Sequence, residues 1–256
     1  MVQNRVLPCL LVQGGKLVKT VKYKHPQYVG DPVNAIKIFN EKEVDELMIC
    51  DISRDRHSRG PDLEFIQRIA NECFMPLTYG GGISRIAQIK EILRMGVEKV
   101  VINAALESSD ELLSEAAAVF GSQCVVASID VKKDWLGRYR VCYDSGLTMS
   151  GESPEEKSKA VVKAGAGEIV LNNIDREGSW KGFDLELLKR ITSGSNVPVI
   201  ASGGAGTVDH IKDAIQKGGV SAVALGSMVV YQQKGLGVLI NFPSAKTLKE
   251  INDLKQ

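Results

Sequence analysis

The stretch ELMICDISRDRHSRGPDLEFIQRIA (46–70) returns, altered but in step, as EIVLNNIDREGSWKGFDLELLKRIT (168–192). The next segment returns too: PLTYGGGIS (76–84) is echoed by PVIASGGAGT (198–207) at nearly the same offset. Each copy reads as apolar strand, polar loop, amphipathic helix, apolar strand, glycine loop. Strands joined through helices run parallel, so both glycine loops reach the same end of the sheet. Glycine lets backbone N–H groups come close to an anion, and the N-terminus of the following helix adds a favourable dipole. Two such loops, related by a pseudo-twofold axis, imply one elongated ligand with a phosphate at each end.

Along the whole chain, eight apolar runs read as strands: 5–12, 46–51, 76–80, 98–103, 124–130, 168–173, 198–202 and 221–225. Most are short and β-branched with little alternation, the pattern of strands buried on both sides. Between them, Ile86, Ile89 and Leu93, and Val208, Ile211 and Ile215, repeat at helical spacing. Asp31-Pro32 and Ser153-Pro154 read as an N-cap followed by proline at the first helical position. Gly96 and Gly218 fall where helices should stop. Eight strands alternating with helices over 256 residues is the arithmetic of a (β/α)8 TIM barrel. An open doubly wound sheet competes, but the duplication favours closure, with half-barrels at roughly 1–120 and 121–240. No break in composition divides the chain, so one domain, 1–256, is expected. Two long loops, 14–30 and 132–151, come after the first and fifth strands; the second reads as a small hairpin, and both are candidates for covering a ligand.

Composition excludes several roles. With 32 basic and 31 acidic residues the net charge is +1, which argues against nucleic-acid binding. No apolar run approaches the roughly 20 residues that a membrane helix needs, and no cleavage-type region comes after the first strand. Cys9, Cys50, Cys73, Cys124 and Cys142 are scattered singly, which reads as buried reduced thiols in a cytoplasmic protein. His25, His57 and His210 are far apart in sequence, so neither a metal nor another cofactor is called for.

The chemistry gathers at the strand ends. Gly81 and Gly82 after strand three pair with Asn103 after strand four; Gly203 and Gly204 after strand seven pair with Gly226 and Ser227 after strand eight. These make two candidate phosphate sites, and Gly178 after strand six is placed to reach the second. Asp130 ends an apolar strand, so its carboxylate should point into the barrel mouth, where burial raises its pKa and suits it to proton transfer. Asp51, Asn173 and Asp175 make weaker claims. Lys19, in the first long loop, could close over a phosphate or an anionic intermediate, or be a solvated lysine.

The segments RVLPCLLV, GDPV, PLTYGGGI, FGSQCVVASID, GAGEIVLNNIDREG, GFDLEL and PVIASGGAG resemble the HisF family, the cyclase subunit of imidazole glycerol phosphate synthase. The resemblance covers the chain to about residue 231. It implies a barrel that takes ammonia from a glutaminase docked at its N-terminal face and carries it to a ligand bearing two phosphates at the opposite face. It also implies phosphate contacts at Gly82, Asn103, Gly178, Gly203 and Gly204, a catalytic role for Lys19, and an ammonia gate of Arg5, Glu46, Lys99 and Glu168. Four alternating charges are costly to bury for stability alone.

One catalytic position departs. The family carries aspartates at the ends of strands one and five; Asp130 is kept, but PCLLV has Leu11 where PCLDV is expected. An acid–base group contributes typically about 10²–10⁴ in rate. Ala104, Asn172 and Glu177 also replace the expected threonine, threonine and aspartate. This pattern, with the KHPQYVGDPVNAIKIFNEKEVDEL stretch, resembles a subgroup of HisF paralogues found beside a glutaminase and a sugar amidotransferase in bacterial surface-polysaccharide gene sets. That resemblance implies ammonia supply for an acetamidino group on an N-acetylated sugar. The alternatives are a working cyclase of histidine biosynthesis, making imidazole glycerol phosphate and aminoimidazole-carboxamide ribotide, and a non-catalytic phosphosugar-binding module.

Overall fold

In the computed structural model, which describes residues 4–53 and 55–254, all eight expected strands form. The first and last residues of the expected 1–256 domain, 1–3 and 255–256, lie outside the described residues, as does Arg54. In chain order the strands are β1 (Arg5–Gln13), β2 (Lys16–Val21), β3 (Lys24–Gly30), β4 (Leu47–Asp51), β5 (Leu77–Gly80) and β6 (Lys99–Ile102). They continue as β7 (Val125–Lys133), β8 (Tyr139–Tyr143), β9 (Thr148–Met149), β10 (Glu168–Asn173), β11 (Val199–Ser202) and β12 (Ala222–Leu225). Parallel pairing runs β1-β4-β5-β6-β7-β10-β11-β12 and returns to β1, so the sheet closes into an eight-stranded barrel.

The pleat sorts each strand between two cores. On β1, Val6, Leu10 and Val12 face the helical layer, and Leu7 faces the barrel axis. The axial core is Leu7, Met48, Val101, Val126, Val170, Ile200, Ala222 and Ala224. Because successive side chains alternate, the residues two before and two after each of these share its inward face. Arg5, Leu7, Cys9 and Leu11 therefore form one column; Glu46, Met48 and Cys50 form another. Lys99, Val101 and Asn103 make a third, and Glu168, Val170 and Asn172 a fourth. In each of these columns a charge stands at the base and an apolar side chain in the middle.

Sequence caps set the helix starts. The Asp31 carboxylate accepts from Asn34 N at 3.1 Å ahead of Pro32–Glu41, and Ser153 and Glu156 cap each other ahead of Pro154–Lys163. Gly96 stops Ile86–Arg94 in the left-handed region; at the end of Val208–Gln216 that conformation falls to Gly219 instead of Gly218. The C-terminal helix Ala245–Asn252 completes the outer layer, tied by Asn4 Nδ2 donating to Ile251 O at 3.1 Å and by Lys212 with Glu250 at 3.1 Å.

The 14–30 segment is not a loop. It is a hairpin, β2–β3, whose first strand pairs antiparallel with the upper half of β1. Its alternation is masked in sequence because Lys19 and Thr20 are buried together with Leu17 and Val18. The 132–151 segment forms the expected hairpin, with a short third strand, β9. Among the described residues no helix is long and apolar enough to cross a membrane. The reading of five buried thiols holds only for Cys142; the other four are half-buried, because Cys9 and Cys50 face the barrel mouth and Cys73 and Cys124 lie at element ends.

Phe39 is fully buried and meets the Phe242 ring edge-on at 6.3 Å, joining the first helix to the C-terminal segment. Phe39→Ala is expected to cost about 3–5 kcal/mol in urea unfolding; a loss below about 1 kcal/mol would show that this corner adds little to the outer layer.

Candidate active site

At the C-terminal end of the strands lies a cavity of about 900 Å³. Its floor includes Met48, Val101, Val170 and Ala224 from the axial core, so apolar side chains separate it from the base of the barrel. It is lined by the candidates Gly81, Gly82, Asn103, Asp130, Lys19, Gly178, Gly203, Gly204, Gly226 and Ser227, and also by Leu11. β5 and β11 stand four places apart in the closed eight-strand order, so the two glycine loops face each other across the mouth. This is the geometry that the duplication implies.

Both loops press against neighbouring backbone. Gly81 has φ +138°, and a Cβ there would lie 2.7 Å from Asp51 O; Gly204 has φ +123°, and its Cβ would lie 2.3 Å from Gly182 O. No other residue type fits either position without movement. One expectation changes. The long helices begin at Ile86 and Val208, whose first residues do not line the cavity. Helical residues that do include those opening the single turn Ala104–Glu107 and the short helix Ser227–Val230, which follow Asn103 and Gly226, and the turn Asp144–Gly146. Asn103 Nδ2 is used within the protein, donating to Ser128 O at 3.0 Å.

Asp130 is buried in the mouth. Its Oδ1 accepts from Asn172 Nδ2 at 2.8 Å and from the Tyr23 hydroxyl at 3.1 Å. Burial pushes its pKa up to about 6, against the opposing pull of hydrogen bonds from Asn172, Tyr23 and Asn103. A carboxyl poised there can take or give a proton near neutrality. Leu11 offers no polar atom.

Lys19 is neither solvated nor free to swing over a ligand. It is buried on β2, ion-paired with Glu177, and donates to Thr20 O at 2.9 Å. Glu177 also accepts from Thr20 Oγ1 at 3.0 Å and from Tyr23 N at 3.1 Å, while its own carbonyl accepts Lys22 N at 3.1 Å. The loop after β10 thus holds the hairpin down on the mouth. An anionic ligand reaching Lys19 must compete with this carboxylate. Gly178 is packed close beneath the hairpin, where a Cβ would lie 2.8 Å from Thr20 O.

Of the weaker candidates, Asp51 is buried and lines the cavity, its Oδ1 accepting Ser53 N at 2.9 Å. Asn173 instead donates to Asp184 at 3.2 Å, and Asp175 accepts Lys133 N at 3.0 Å, so both brace loops outside the cavity lining. Sequence reasoning missed Tyr23 and the bracing role of Glu177. Tyr23 lies at a hairpin tip without the Asn-Gly signal that would announce one.

At the opposite end the four base charges form a closed ring. Arg5 binds Glu46 at 2.8 Å and Glu168 at 2.7 Å, and Lys99 binds the same two carboxylates at 3.1 and 3.2 Å. Thr78 Oγ1 adds a donor to Glu46 at 3.0 Å. Each charge has two opposite partners, so none is buried unpaired. Among the described residues no group of three or more His, Cys, Asp or Glu is placed to hold a metal ion.

Comparison with known proteins agrees with this architecture. A family model described as histidine biosynthesis protein matches residues 5–235. A Pseudomonas aeruginosa protein provisionally named imidazole glycerol phosphate synthase subunit hisF2 is 49% identical over 248 residues, covering 97% of this chain and 99% of its own. A Leptospira interrogans protein, provisionally named as the HisF subunit of the same synthase, is 46% identical over 95% of this chain and 96% of its own. One from Vibrio vulnificus, provisionally named subunit hisF3, is 42% identical over 99% and 98%.

The raised pKa of Asp130 makes a stability prediction. Its proton is held more tightly in the folded than in the unfolded chain, so its contribution is fully present below about pH 4 and is lost as pH rises through about 6. A shift of this size corresponds to about 3 kcal/mol of destabilisation once the group is ionised. Asp130→Asn should therefore gain stability over the unsubstituted protein by about 2–3 kcal/mol between about pH 4 and about pH 8, read by urea denaturation at each. A difference that does not change with pH would mean that the carboxyl is solvated.

Proposed function

The chain belongs to the family of histidine biosynthesis proteins, and from that premise we propose that it is a HisF-type subunit supplying ammonia for amidination of an N-acetylated sugar. A glutaminase docks on the charged base, ammonia crosses the apolar axis, and a phosphorylated sugar acceptor sits in the mouth, with a sugar amidotransferase as the third component. The setting is the cytoplasm, and the chain acts as one domain, 1–256, of two half-barrels.

The observation that carries this reading is a contrast between the ends. The base keeps a complete four-charge ring, with every member doubly paired. In the mouth, Leu11 shares the cavity with Asp130 but has no proton to offer, and Lys19 is tied to Glu177. Neutral ammonia passes an apolar axis more readily than an ion does, because an ion there loses its hydration without a partner. Lys99, the compact member of the ring, is the side chain that can move aside and leave both carboxylates paired to Arg5. The two opposed glycine loops suit the ends of a phosphorylated acceptor, and Asp130 suits a proton transfer as nitrogen attacks.

A second reading, the cyclase of histidine biosynthesis, is favoured by the names of the relatives and by Asp51, a second buried carboxylate in the same cavity. Growth separates the two. The sugar reading expects no rescue of a histidine-requiring strain that lacks its cyclase; rescue would establish the cyclase instead. For the conduit, Lys99→Met in the complex with its glutaminase should cut glutamine-dependent amidination by about tenfold or more, a barrier of about 1.4 kcal/mol. The reaction supplied with free ammonia should stay within about twofold. An equal fall in both would place the defect in folding or in the mouth, not in the passage.

A further inference from the structure

The tip of the β2–β3 hairpin is built at some expense. Lys22 and Tyr23 form its two-residue connection, and both have positive φ, 53° and 60°. Such a connection matches the twist of a hairpin but is normally made by glycine or asparagine. A lysine and a tyrosine there are strained and persist only where surrounding contacts over-determine them. Those contacts exist: Glu177 takes Tyr23 N on its carboxylate and Lys22 N on its carbonyl. The result is that the Tyr23 hydroxyl is delivered to Asp130 Oδ1 at 3.1 Å, beside the Asn172 amide at 2.8 Å.

The phenol has one role open to it. Burial, then the charges of Asp130 and Glu177, push its ionisation well above the usual tyrosine range. It therefore stays neutral and donates its single hydrogen. A neutral donor on a carboxylate stabilises the charged form of that carboxylate.

We infer that Tyr23 is a positioning residue whose hydroxyl, given to Oδ1, orients the Asp130 carboxylate and favours its charged form while the hairpin tip is down. The inference rests on the proposed reading of Asp130 as the proton-transfer group. Asp130 is faced by Tyr23 from the hairpin, Asn172 from β10, Asn103 from the end of β6, Cys50 from β4 and Cys142 from β8. Glu177 and Lys19 are paired with each other, Asp51 acts on Cys50, and Lys132 and Asp175 act on Cys142. Tyr23 is thus the donor to Asp130 that comes from the hairpin.

The test needs neither substrate nor partner. The full chain is made with aspartate labelled at the side-chain carboxyl carbon and titrated by NMR, the Asp130 signal being the one missing from Asp130→Asn. Tyr23→Phe keeps the ring and removes the hydroxyl. Its Asp130 midpoint should rise by about one unit, the effect of losing one hydrogen bond to a charged group. Tyr23→Leu also lacks the hydroxyl and should raise the midpoint too, by less, because water entering the space left by the ring favours the charged carboxylate. An unchanged or lowered midpoint in both variants overturns the assignment. Because the titration is read on the isolated chain, that outcome removes Tyr23 from the mechanism and leaves the sugar-amidination reading to its own assays.

Discussion

Strict two-residue alternation along eight parallel strands is the constraint on which the rest depends. It sends one set of side chains to the helical layer and the other to the axis, and the axial set rises from charge through apolar packing to the polar mouth. A one-residue register slip in β1, β4, β6 or β10 would turn its base charge into the helical layer and its axial apolar residue out of line. Closure of β12 on β1 leaves no edge at which the register could relax. The ring at the base and the carboxyl in the mouth are therefore set by the same pleat.

The two ends meet different electrostatic demands. At the base, four charges satisfy one another, the Arg5 guanidinium bridging two carboxylates through separate nitrogens. In the mouth, Lys19 and Glu177 neutralise each other, Leu11 contributes no charge, and Asp130, sharing the cavity with the buried Asp51, is left near its own protonation midpoint. On the proposed reading this separation suits a subunit that keeps its nitrogen supply and accepts a different acceptor. Glu177 is central to both arrangements in the mouth, since one carboxylate pairs Lys19 and anchors the tip that carries Tyr23.

Much of this was readable in the sequence because it repeats. The echoed segments gave parallel strands and opposed glycine loops, and strand ends fixed Asp130 and Asn103 on the inward face. The base ring came only through resemblance, since Arg5, Glu46, Lys99 and Glu168 are separated by up to 163 positions and meet only on closure. The β2–β3 hairpin was hidden for a physical reason. Its lysine reads as a loop residue, solvated or closing over a ligand, until Glu177, from a loop far along the chain, supplies the counter-charge. The turn at Lys22-Tyr23 lacks glycine because tertiary contacts, not local preference, hold it. Asn173 and Asp175 show the converse: a polar residue at a strand end points to the cavity only if no nearer loop needs bracing.

The central claim is that the doubly paired base ring and the apolar axis form a passage for nitrogen released by a docked glutaminase. The most direct measurement supplies the assembled complex with amide-labelled glutamine in the presence of excess unlabelled ammonium and weighs the amidinated product. Retention of most of the label is the predicted result, since nitrogen that travels inside the barrel does not mix with the bulk. A product diluted to the isotopic composition of the surrounding ammonium would contradict the account.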